Sequence, residues 1–237
     1  MSFLLKNIIR NELEILCEDY LSDIKYNNIA KKIYRKIIKN INNIKFSPIS
    51  DSNKQEFITD STGKKHVLYG VKFNINQLDK NFNIDIYLAR ILPKINAYHH
   101  YDPKNKRIVF FIINEHEQSF EHDLYFAKLR FSNWIDENTF IHEFIHYLDS
   151  IRYTDTYNYN KPKNKYDYYN TPEEFNAFTH MIISQILKNK KKFMNIPFKL
   201  FLNKSLKLAD NDFIKYINDK NKIRLFNRLY NLYLNIK

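Results

Sequence analysis

Apolar positions change period several times along the chain, and each change marks an element. Phe3, Leu4, Ile8, Leu13, Leu16, Tyr20 and Leu21 recur roughly at helical spacing, and Ile24, Ile29, Ile33, Ile37, Ile38 and Ile41 continue it. Residues 2–46 therefore predict two helices, ended by Ser47-Pro48. Residues 50–65 are polar, with Gly63 near a turn, and predict a loop. The period then falls to two. Val67, Tyr69, Val71, Phe73 and Ile75 alternate with polar residues, as do Phe82, Ile84, Ile86 and Leu88, which suits half-buried strands. After Pro93, His99-His100 and a turn around Asp102-Pro103, the unbroken apolar run at 107–114 predicts a central strand. Tyr125, Ala127, Leu129 and Phe131 predict one more strand within 123–131.

Helical spacing returns at 136–152, where Ile141, Phe144, Ile145, Leu148 and Ile151 share a face. Residues 153–170 are rich in Tyr, Asn, Lys and Asp, include Pro162, and predict a long surface loop. Thr171-Pro172 opens a second helix that reaches about residue 190, and two or three short helices follow. The pattern predicts an α+β fold in three parts. Helical segments at 1–48 and 191–237 flank a mixed domain at 65–190, all within one compact unit.

Composition narrows the chemistry. Hydrophobic residues make up 44% of the 237, enough for a substantial core, and 19 Phe and 18 Tyr make that core aromatic. Only 2 glycines are present, which excludes Gly-rich phosphate loops and dinucleotide-binding fingerprints. One cysteine, Cys17, excludes an intrachain disulfide and a cysteine-based zinc site; it reads as a small core residue. Lys6, Arg10 and Glu12 interrupt the start of the chain. Neither a signal peptide nor a membrane span is expected, and the expected compartment is intracellular, with a phage or virus origin open. The net charge of +12 suits nucleic acid or acidic substrates, yet the lysines are scattered, as AT-rich codon usage also produces. Their densest run, 188–192, reads as a solvated helix end.

The motif that carries chemistry is His142-Glu143-Phe144-Ile145-His146. Histidines four apart on a helix lie one turn apart on one face, so both imidazoles can reach one metal. Glu143 projects about 100° away and reaches the metal's water rather than the metal. Zinc there lowers the pKa of that water and polarises a carbonyl, and Glu143 takes the proton and hands it to the leaving amine. The competing reading is two surface histidines on an amphipathic helix. A catalytic zinc also needs a third protein ligand. Asp149 and Arg152 stand where a metzincin carries Gly and His, and the downstream aspzincin pattern is absent.

On the next helix stands Thr171-Pro172-Glu173-Glu174-Phe175-Asn176-Ala177. HExxH, a loop, then a helix bearing E-x-x-A is similar to the gluzincin peptidases. Glu174-Phe175-x-Ala177 fits the form seen in lethal-factor-like toxin proteases, and Pro172-x-Glu174-x-x-Ala177 looks like small phage and bacterial peptidases of that clan. The resemblance covers about residues 125–185. It implies a zincin-like domain with a small mixed or antiparallel sheet, one zinc per chain held by His142, His146 and Glu174, Glu143 as general base, and a protein or peptide substrate. Gluzincins often place a Tyr or His near the developing oxyanion, a role open to Tyr166, Tyr168 or Tyr169.

Other readings of these residues stand beside it. Thr171, Pro172 and Glu174 also form a capping box, in which case Glu173 becomes a candidate ligand. Asp149 either holds a ligand histidine in one tautomer or is an ordinary partner for His146 or Arg152. His116 and His122 lie in an acidic stretch that could bind a second metal or be a solvated loop. His180 and His66 carry no catalytic signal. For the whole chain, the alternatives are a basic nucleic-acid-binding protein and a structural virion protein with a non-catalytic metal site.

Overall fold

The computed structural model describes residues 24–50, 53–59, 64–91, 99–102, 104–114, 119–152 and 164–236. Cys17, His116 and the apolar positions before Ile24 lie outside them. The elements are α1 (24–40), β1 (Ser47–Pro48), β2 (Phe57–Thr59), β3 (Lys65–Val67), β4 (Gly70–Asn74), β5 (Asp85–Arg90), β6 (His99–Asp102), β7 (Arg107–Ile113), α2 (Phe120–Trp134), α3 (Glu137–Arg152), α4 (Lys165–Asn170), α5 (Pro172–Lys188), α6 (Phe198–Leu206), α7 (Asn211–Tyr216) and α8 (Asp219–Ile236). The fold is α+β, and it separates into two compact units, one of residues 30–147 and one whose described part is 24–29 and 148–236.

The first unit is built on a five-stranded sheet in the order β1-β4-β5-β7-β6. Only β5 and β7 run parallel; the other pairs are antiparallel, so the sheet is mixed. Every residue of β7 is buried, which explains its unbroken apolar sequence: both faces of the sheet are covered. On one face Phe110 meets Phe131 of α2 and Phe140 of α3, and Tyr34 of α1 packs on both. On the other, Tyr87, Ala89, Val109 and Phe111 pack with Ile49 and Leu68 beside the β2–β3 hairpin. Buried Arg107 ties that hairpin down through Glu56, Asp102 and the Phe57 carbonyl. The hairpin corrects the loop expected at 50–65.

Three further expectations fail here. Residues 123–131 are helical, not a strand. Asp123, Ala127 and Phe131, each four apart, are the buried set, while Tyr125 and Leu129 face solvent. Ser119 caps this helix by accepting from the His122 N–H, and Glu121 and Asp123 sit in its first turn. The strand expected from Val67 to Ile75 is interrupted at Leu68 and Tyr69 and resumes at Gly70, whose φ of +130° suits only glycine, and a Cβ there would lie 2.3 Å from the Leu88 carbonyl oxygen. Tyr69, within the break, is exposed, and Ile75 begins a turn of 3₁₀ helix. Third, His99 and His100 belong to strand β6 rather than a turn.

The second unit is helical. Phe175, Phe201, Phe213, Leu225, Leu229 and Leu232 form its centre, with Tyr169 against it. Residues 165–170, expected in a loop, form α4; the remainder of that loop, 153–163, lies outside the described residues. Asn170 pins α4 in place by donating to the Tyr216 carbonyl and accepting from Asn218 and Asn221. The lysines at 190–192 are exposed at the end of α5, as expected. Among the described residues no helix is long and apolar enough to cross a membrane.

Candidate metal centre

Helix α3 begins at Asp136, whose carboxylate accepts the Thr139 N–H at 2.7 Å. It was expected to bury one face. Residues 140–149 are instead buried on every side, and only Ile151 departs, 52% exposed rather than part of the core. His142, Glu143 and His146 are therefore interior residues, each no more than 4% exposed. The surface-histidine reading of the motif falls on that observation.

The three side chains converge. Their candidate ligand atoms all lie within 4.8 Å of one another. His142 Nε2 and His146 Nε2 are 3.3 Å apart, with ring planes at 83°. Two nitrogens about 2.0–2.1 Å from one tetrahedral metal are separated by about 3.3–3.4 Å, so the pair spans a metal's ligand edge. The same 3.3 Å also suits an N–H···N hydrogen bond between the two rings, one acting as donor and the other as acceptor. Glu143 Oε1 is 3.8 Å from His142 Nε2. The group could hold a metal ion, and no second group of this kind occurs among the described residues. His122 is exposed in the first turn of α2.

An aromatic wall supports the group. Tyr101 of β6 lies parallel to the His146 ring, interplanar angle 3° and centroids 6.5 Å apart, and meets Tyr147 edge-on. The Tyr147 hydroxyl accepts the Asn83 N–H at 3.3 Å, and burial pushes its pKa up. Phe82 packs on Phe144 and Tyr147 from the same side. Tyr101 had no sequence signal, being one tyrosine among 18.

The other expected site residues lie in the helical unit. Asp149 is buried and accepts from Asn176 Nδ2 at 3.3 Å, and Asn176 Oδ1 in turn accepts from Arg228 at 3.0 Å. Glu174 is buried and Glu173 half-buried. Thr171 Oγ1 accepts the Glu174 N–H, which is one half of a capping box. The Thr171 N–H donates to the carbonyls of Asp167 and Tyr168 at the end of α4. Ala177 is fully buried. Tyr166 is exposed, Tyr168 is half-buried, and Tyr169 is buried among Phe178, Phe213 and Tyr216. Burial, with Asp210, Asp212 and Glu174 nearby, pushes the Tyr169 pKa up to about 12. His180 is packed, bonded to Asn27 at 2.8 Å and stacked on Tyr26.

Compared with protein families, curated proteins and solved structures, the chain matches none of them.

Proposed function

We propose that this chain is a zinc-dependent metallopeptidase of the gluzincin kind, with a zincin-like domain built around α3. The observation that carries the reading is the buried His142–Glu143–His146 group and its 3.3 Å nitrogen spacing. His142 and His146 hold the metal, which when bound supplies a Lewis acid to activate water and polarise a carbonyl. Glu143 is the general base. Its carboxylate takes the proton of the attacking water and delivers it to the amine of the broken peptide bond. Burial removes competing solvent from these groups, so the charges act at full strength. Tyr101 holds the His146 ring in orientation.

Glu174 is the proposed third ligand, on its E-x-x-A spacing and its burial. Asp149 would keep a ligand histidine in one tautomer. Tyr168 and Tyr169 are the proposed oxyanion donors; with a pKa near 12, Tyr169 stays protonated at neutral pH, as a donor must. Strand β6 is an edge of the sheet, and its outer backbone groups suit an extended peptide added as a further strand.

The test is metal content by elemental mass spectrometry on wild type and His146→Ala, with cleavage of a peptide library by the wild type. The expected result is about one zinc per chain in the wild type, none in the variant, and chelator-sensitive cleavage. No zinc in either, after zinc is supplied, would make the motif a coincidence. Salt-dependent binding to nucleic acid that survives chelation would then be the better reading.

A further inference from the structure

Helix α8 buries one face in the helical unit through Leu225, Leu229, Leu232 and Ile236. It also carries a second apolar stripe that faces solvent. Ile223, Phe226, Tyr230 and Leu234 are 62%, 43%, 42% and 51% exposed. Their intervals of three, four and four residues confine them to about 80° of the helix circumference, the spacing by which one helix receives another. Phe198 of α6 packs edge-on against Phe226 and Tyr230 and fixes both rings. Beside the stripe opens an apolar pocket of about 220 Å³ between α6, α7 and α8, and Phe226 belongs to both. A flat surface would not fill such a pocket; an inserted side chain would.

The charge around this surface has one sign. Residues 190–236 hold 11 Lys and Arg against 3 Asp and no Glu, most of the net charge of the chain. Lys220 and Arg224 fall on one flank of the stripe and Lys222, which lines the pocket, on the other. Asp210 caps α7 and Asp212 pairs with Lys165; Asp219, in the first turn of α8, pairs with Lys222 across an exposed contact that a partner's carboxylate can replace. A second copy of the chain would bring basic flanks against basic flanks.

We propose that the α6–α8 surface is a docking site for an acidic amphipathic helix of a partner protein. The partner's apolar ridge lies along Ile223, Phe226, Tyr230 and Leu234, one large apolar side chain enters the pocket, and its carboxylates meet Lys220 and, in place of Asp219, Lys222. The proposal is independent of the metal centre.

The probe is a fluorescent Leu/Glu heptad peptide as long as α8, titrated against the full chain, beside a peptide of the same composition with the pattern scrambled. The patterned peptide is expected to bind and the scrambled one at least about tenfold more weakly. Ile223→Ser and Lys222→Glu, both at exposed positions, should each weaken binding by about tenfold with unchanged thermal melting. Equal binding of the two peptides, or variants that bind like the wild type, would overturn the proposal. So would an Ile223-dependent dimer in sedimentation, or Ile223-dependent binding to phosphatidylserine vesicles without binding of the patterned peptide.

Discussion

His142 and His146 carry nitrogens 3.3 Å apart, and Glu143 brings an oxygen to 3.8 Å from the first of them. Ligand and base are thus separable by substitution. Glu143→Gln preserves shape and removes the proton acceptor. It should leave the zinc content at the wild-type level and lower kcat by about 10²–10⁴, measured on any peptide the wild type cleaves. Unchanged kcat would remove Glu143 from the mechanism. The third ligand is decided by a pair of variants. Glu174→Ala should weaken zinc binding by about tenfold or more in competition with a chelator, and Glu173→Ala should not; the reverse ranking moves the ligand to Glu173. Tyr169 gives a pH test. Below pH 10 folded and unfolded chains both hold its proton. Between pH 10 and about 12 the unfolded chain releases it and the folded chain keeps it, so stability falls with rising pH. Tyr169→Phe has no such proton, and its urea midpoint should fall less steeply from pH 9.5 to 11.5. Tyr34, Tyr87 and Tyr147 are raised too, so a residual slope should remain.

At the scale of elements, Gly70 shows where local sequence and tertiary contact part. The alternation from Val67 to Ile75 reads as one strand, but the chain must pass the Leu88 carbonyl at Gly70 with φ +130°. Gly70→Ala should therefore cost about 2–4 kcal/mol of stability in urea titration, since the neighbouring atom is backbone and cannot yield. Much of the rest was legible. The apolar run at β7 announced a central strand, Thr171-Pro172 announced the start of α5, and the spacing of His142 and His146 announced one helix face. The element read wrongly, 123–131, shows why periodicity fails over short windows. Ala127, Phe131 and Asp123, which pairs with Arg90, fit a period of two and a period of four equally, and the exposure of Tyr125 and Leu129 is what separates the two. Tyr101 was illegible because its value lies in a ring contact with His146, 45 residues away, which no local pattern encodes.

For the molecule as a whole, metal and stability should be linked. The group that could hold a metal is interior, in a helix buried from 140 to 149, so an unfolded chain cannot offer it in the same geometry. A ligand that binds only the folded state adds stability as its free concentration exceeds its Kd, about 2.7 kcal/mol at a hundredfold excess. For a chain of 237 residues that corresponds to roughly 5–10 °C in Tm. Zinc added to chelator-treated protein should raise Tm by this amount, and the rise should follow zinc concentration. His142→Ala should melt at one temperature with or without zinc. Glu143→Gln should keep the shift, because the carboxylate is proposed to act on the water and not on the metal. A chain carrying +12 also repels itself, and salt raises stability by screening that repulsion whether or not a metal is bound. The comparison therefore belongs at fixed ionic strength, where a shift lost in His142→Ala reports the metal site alone. A shift that persists in that variant would place the stabilising zinc elsewhere on the chain and detach the 3.3 Å histidine pair from metal binding.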